Sequence, residues 1–205
     1  MRIRALLPLA FSLALAACGQ SMPTSYYILD SQSKPLAAES LPRTTLAISS
    51  VTLPAYLDTK AVVLRDAGDA VLDVPQFNMW GEPLDEGVAR VLRQRLAGPM
   101  LAGGVTVLPS RDAHIAPAYS LVVDVVHLEG DLEGKVCLEA RWTLVDAVAN
   151  RVMARGGWTG EERVELPGSI GRETFKTVVA AESRLLQAYG DYLAGRLAGA
   201  VPARP

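Results

Sequence analysis

Apolar positions along this chain repeat with two different periods, and the alternation between periods divides it into strands and helices. Leu84, Val88, Val91, Leu92 and Leu96 are spaced by 4, 3, 1 and 4 residues, one face of a helix, with Arg90, Arg93 and Gln94 off it. Pro83 suits a first helical position, and Asp85 and Glu86 complement the dipole of the first turn. Gly98-Pro99 should stop or bend this helix and Gly103-Gly104 end it. A second helical pattern runs through Phe175, Val178, Val179, Glu182, Leu185, Leu186, Tyr189, Leu193 and Leu197, with Glu182 its one polar member and Ser169 a candidate cap. At ~1.5 Å per residue, a helix over 172–198 would be ~40 Å long.

Elsewhere the period is two. Tyr119, Leu121, Val123 and Val125 fall at every second position. The phase then slips, so that Leu128 rather than His127 returns inward, as a bulge near His127 would cause. After a turn over 130–134, Val136, Leu138, Ala140, Trp142 and Leu144 alternate against Cys137, Glu139, Arg141 and Thr143, the pattern of a half-buried antiparallel strand. Further strands are expected at Tyr26-Tyr27-Ile28-Leu29, a short run of strong β preference, at 45–53 and, briefly, at 105–108, with a weaker one at 151–164, loosened by Gly156 and Gly157. The runs 61–65 and 70–74 flank Asp66-Ala67-Gly68-Asp69, the composition of a hairpin turn. Two helices and about six strands predict an α+β fold: a mainly antiparallel sheet with two helices packed on one face, and a long C-terminal helix.

The first residues belong to neither pattern. Arg2 and Arg4 precede an apolar stretch over 5–17 that ends in Leu15-Ala16-Ala17-Cys18, with small residues ahead of a cut site. This resembles a bacterial lipoprotein signal, in which the cysteine thiol is diacylated before cleavage. The stretch is too short to cross a bilayer core of ~30 Å. The expected organisation is a lipoprotein signal peptide over 1–17, a lipidated tether with a short strand and linker over 18–44, and the main domain over 45–200. Several acyl chains on Cys18 would hold the chain stably at a membrane, each buried CH₂ contributing ~0.8 kcal/mol. Gly19, where aspartate would favour inner-membrane retention, favours the outer membrane, with the body facing the periplasm. Residues 19–25 can reach at most ~25 Å at ~3.5 Å each.

Composition narrows the partners. The chain holds 20 Lys and Arg, of which the signal takes two, against 22 Asp and Glu, and no basic block stands out, which argues against nucleic acid. With Cys18 acylated, Cys137 is left without a disulfide partner and reads as a small, partly buried hydrophobe. His114 and His127 are in no metal-ligand spacing, so no metal site is expected. The segment Gly168-Ser169-Ile170-Gly171 lacks the first glycine of a hydrolase elbow, because Pro167 stands there. No Walker-type lysine loop is present. The sequence offers no catalytic constellation and no cofactor motif beyond covalent lipid on Cys18, so the chain reads as a non-enzyme. Among the aromatics, Trp142 belongs on the core face of its strand, whereas Trp80, ahead of the first helix, either pins a loop or sits at an interface.

Four stretches together resemble the ABC-type transport auxiliary lipoproteins, the group that includes the paraquat-inducible lipoprotein component. They are Tyr26-Tyr27-Ile28-Leu29, Leu53-Pro54-Ala55-Tyr56-Leu57-Asp58, Trp80-Gly81-Glu82-Pro83-Leu84-Asp85, and Leu128-Glu129-Gly130 followed by the strand 136–144. Leu128 stands where phenylalanine is the family's usual residue. The resemblance implies an outer-membrane accessory of an ABC system that moves phospholipid or another hydrophobic molecule between membranes. Its implied partners are a periplasmic protein with a mammalian-cell-entry (MCE) domain and that protein's ABC permease. It would act by docking, through exposed aromatics near Tyr26, Tyr27, Tyr56 and Trp80, and homo-oligomerisation is left open. The competing readings are a lipoprotein subunit of another outer-membrane assembly, a periplasmic lipid carrier with a pocket between long helix and sheet, and a lipid-anchored hydrolase.

Overall fold

The structure, a computed structural model, describes residues 23–32, 44–66, 72–73, 76–109 and 115–201. The signal segment, Cys18, most of the linker, the turn after Asp66 and His114 lie outside the described residues. The elements are β1 (Ser25–Tyr27), β2 (Thr44–Thr52), β3 (Leu64–Arg65), β4 (Leu72–Asp73), β5 (Asn78–Trp80), α1 (Leu84–Ala102), β6 (Val105–Val107), β7 (Tyr119–Asp131), β8 (Lys135–Asp146), β9 (Arg151–Arg163) and α2 (Arg172–Ala198).

The main sheet has seven strands built on β7. On one side β7, β8 and β9 form a long antiparallel meander. On the other, β2 and then β6 run beside the first half of β7, and β3 with β4 joins its last two residues. The sheet is mixed: β2 is parallel to both neighbours, and β3 is parallel to β7. The parallel pairings follow from connectivity, because a chain leaving β2 must cross over through α1 before it can return beside it in the same direction. A separate two-stranded parallel ladder joins β1 to β5.

Both helices lie on one face and bury a common core. Leu84, Val88, Val91, Leu92 and Leu96 of α1 and Phe175, Val178, Leu186, Tyr189, Leu193 and Leu197 of α2 are almost wholly buried. They meet the inward series Tyr119, Leu121, Val123 and Val125 of β7 and Val136, Leu138, Ala140, Trp142 and Leu144 of β8. Helix α1 continues through Pro99, near its end, and stops at Gly103. The N-terminus of α2 is held differently from the expected serine cap: the Thr174 hydroxyl accepts from the Gly171 N–H (3.2 Å) and donates to the Ser169 carbonyl (3.2 Å).

The β7 register shifts between Val125 and His127, so Leu128 is buried and His127 and Glu129 face away from the helices, opposite Glu139 and Cys137 of β8. The tight β7–β8 turn uses Gly134 at φ +82°, where a Cβ would lie 2.1 Å from the Val164 carbonyl oxygen. β9 is not loosened by its glycines, since it is 13 residues long and pairs with β8 from Arg151 to Arg163 with one register shift at Met153, away from both glycines. A Cβ on Gly156 would come within 2.9 Å of the Trp142 indole nitrogen, so the missing side chain is what lets the indole pack across the strand.

Candidate functional site

The bulge at His127 creates the most concentrated polar site among the described residues. It turns Glu129 away from the helices, where Tyr56 reaches it and it is 2% exposed. The Glu129 carboxylate accepts from the Tyr56 hydroxyl (2.8 Å), from Arg65 Nη2 (2.6 Å) and from the Leu128 N–H (2.9 Å), and His127 Nδ1 lies 3.0 Å from it. Tyr56 also lies 3.2 Å from His127 Nδ1. Arg65, at the end of β3, is therefore tied to β7 by both backbone and side chain.

The electrostatics of this knot oppose reactivity. Burial, then the hydrogen bond to Glu129, raises the Tyr56 phenol above its ordinary value. The hydrogen bond to Glu129 raises the Arg65 guanidinium. Burial, then the Glu129 charge, pushes the half-buried Cys137 thiol up to about 11. A nucleophilic cysteine needs its thiolate stabilised, and here the surroundings favour the thiol. A cleft of about 190 Å³ lies over the knot, lined by Arg65, His127, Lys135 and Cys137. Among the described residues, no three His, Cys, Asp or Glu side chains are grouped to hold a metal ion.

The N-terminal ladder is a second clamp. β1 pairs with β5 from Ser25–Asn78 to Tyr27–Trp80, and the Gly81 N–H donates to the Tyr27 carbonyl (2.7 Å). Arg90 of α1 bonds Glu82 and donates to the Leu29 carbonyl (2.8 Å). From α2, Ser183 Oγ accepts from the Asp30 N–H (3.1 Å) and Gln187 donates to the Asp30 carbonyl (2.8 Å). Residues 25–30, placed by the sequence in the tether segment, are thus bound to both helices.

Of the four aromatics expected at a docking surface, only Tyr26 is fully open, at 72% exposure. Tyr27 turns inward: its hydroxyl lies 3.0 Å from Asn78 Oδ1 and 3.2 Å from the Arg172 carbonyl, two acceptors for its one proton, and its ring lies 6.5 Å from that of Phe175. Tyr56 is committed to Glu129. Trp80 is 8% exposed and its backbone N–H donates to the Lys60 carbonyl (2.7 Å). The stretches that look distinctive in sequence therefore pair up in space. The Tyr26 and Trp80 stretches form the β1–β5 clamp, and the Tyr56 and Glu129 stretches form the polar knot.

Sequence reading did not find Arg65 and Glu129. The available signal was a lone arginine closing the apolar run 61–64 and a lone acid beside a phase slip, but nothing local joins residues 64 positions apart. The exposed apolar side chains are also unevenly placed. Tyr26, Ile28, Phe77 and Ile170 surround the β1–β5 ladder and the start of α2, whereas Val148 and Val152 lie at the β8–β9 turn, the other end of the sheet.

The fold and the two clamps define the class: an α+β domain with two helices layered on one face of a mixed sheet. Among the described residues no helix is long and apolar enough to cross a membrane. The same fold occurs in protein XCC0632 from Xanthomonas campestris, at 18% identity and TM-score 0.63, over 86% of this chain and 96% of that one. It also occurs in the crystal structure of an uncharacterized protein, at 20% identity and TM-score 0.66, over 86% and 99% of the two chains. The chain belongs to the family of ABC-type transport auxiliary lipoprotein components, whose sequence profile matches residues 26–194. No curated protein matches the chain.

Proposed function

We propose that this protein is the outer-membrane lipoprotein of an MCE-type ABC system that moves phospholipid or a related hydrophobic molecule between membranes, and that it works by docking rather than catalysis. The observation that carries the reading is the family match over residues 26–194, on a chain whose Cys18 ends a lipoprotein-type signal. Acylation of Cys18 would confine the domain to one surface, and confinement raises the effective concentration at which weak docking contacts operate. Partner capture then falls to the end of the sheet away from the tether, where Val148 of the β8–β9 turn and Val152 at the start of β9 stand exposed at 74% and 57%.

The carrier reading calls for a pocket between α2 and the sheet. That interface is filled by direct packing: Val178 sits so close to Gly130 that a Cβ there would come within 2.6 Å of it.

The test is affinity purification of the full chain from its own host in gentle detergent, with mass spectrometry of what is retained. Recovery of an MCE-domain protein together with its permease is the expected result. Recovery of a different outer-membrane assembly, or of lipid alone, would overturn the reading.

A further inference from the structure

The geometry points to a membrane-resting surface: the end of the domain built by the β1–β5 ladder, the β7–β8 turn and the entrance to α2 lies on the bilayer that holds the lipid anchor. This rests on the proposed acylation of Cys18. Seven residue steps separate Cys18 from Ser25, the first residue of β1, so the ladder is held within ~25 Å of the membrane at ~3.5 Å per step. β1 is not free to swing away, because Arg90, Ser183 and Gln187 bind residues 29 and 30.

What this end presents suits a lipid surface. Four of the six large apolar side chains most exposed on the described residues belong to it: Tyr26, Ile28, Phe77 and Ile170. Their placement follows from the backbone. The Ser25 N–H donates to the Phe77 carbonyl (2.7 Å), and Tyr27, pointing inward toward Arg172 and Phe175, leaves its neighbours Tyr26 and Ile28 pointing out. Beside Ile170 opens a broad, open cleft of about 960 Å³, in which Leu132, Val164, Leu166 and Pro167 share the lining with Glu133, Arg163 and Glu165. Exposed aromatic and aliphatic groups gathered in one area mark an interaction surface rather than ordinary surface scatter. The charges around it balance, with Arg163, Arg172 and Lys176 against Glu133, Glu165 and Glu173. Binding should therefore be apolar in origin, equal on zwitterionic and anionic bilayers and insensitive to salt.

The experiment uses the full lipidated chain reconstituted in phosphatidylcholine vesicles. An environment-sensitive fluorophore is placed singly at Phe77→Cys, Ile170→Cys or Val148→Cys, each in a Cys137→Ala background, and a spin label is carried on the upper acyl chain of a fraction of the lipid. Flotation with the vesicles reads the anchor, and quenching reads the surface. The expected result is flotation of all three, loss of most of the fluorescence at positions 77 and 170, and none at 148. Flotation without quenching at 77 and 170 would overturn the resting surface while leaving the anchor intact. A blue shift at those positions that depends on protein concentration but not on spin-labelled lipid would assign the patch to a second copy instead. Failure to float would remove the anchor and the resting surface together.

Discussion

Two of the buried carboxylates near the β7 strand, Glu129 and Glu182, are treated in opposite ways. Glu129, on the side away from the helices, accepts from Tyr56, Arg65 and the Leu128 N–H, with His127 Nδ1 3.0 Å away. Glu182, on α2 between helix and sheet, is 1% exposed and its Oε2 has no hydrogen-bond partner. Burial, with a smaller contribution from the Glu129 charge, pushes Glu182 up to about 8. The contrast separates two uses of a buried acid. A fully partnered carboxylate fastens a loop to a strand, whereas an unpartnered one makes the packing of its helix depend on protonation.

The largest expected effect is on pH dependence. The folded value of Glu182 lies above the ordinary carboxylate value of ~4.3, so the stability it permits is complete below ~pH 4. That stability is lost as pH rises toward and through about 8, at ~1.4 kcal/mol per unit. Urea unfolding of wild type and Glu182→Gln at pH 5 and pH 8 should show the variant gaining on wild type at the higher pH. Parallel pH profiles would remove the distinction between the two acids. Next in size is Glu129→Ala, which strands Tyr56 and the Leu128 N–H and should cost about 3 kcal/mol in the same measurement. Tyr56→Phe removes one donor from the knot and should cost about 1 kcal/mol, with the midpoint shifted and the slope unchanged. The smallest effect belongs to Arg184→Ala, which breaks a half-exposed pair with Glu162 and should move stability by less than ~0.5 kcal/mol. A large loss there would mean that surface pairing, rather than the buried groups, holds α2 to the sheet.

Much of this was legible in the sequence because it is periodic. The pattern from Phe175 to Leu197 predicts a helix over 172–198, and α2 runs Arg172–Ala198. The phase slip after Val125 predicts the bulge that re-aims His127 and Glu129. Trp142, placed by alternation on the core face, is 2% exposed. What periodicity does not carry is pairing between distant segments. The parallel placement of β2 beside β6 and β7 depends on a crossover, and the knot joins side chains 64 and 73 positions apart. Aromatic residues in distinctive stretches suggested a surface, but Trp80 and Tyr27 are drawn inward by the β1–β5 ladder, whose two strands are 51 residues apart at the Tyr27–Asn78 bond. The strength of β9 was missed for a related reason: its glycines make room for Trp142 of the neighbouring strand.

The central claim is that one end of the domain faces its own membrane and the other meets a protein. Photo-crosslinking in the native host tests it most directly, with a photoreactive side chain at Ile170 or at Val148 of the full-length chain. The account predicts protein adducts that include an MCE-domain polypeptide at position 148, and lipid but no protein adducts at position 170. Protein adducts at 170 with silence at 148 would contradict it.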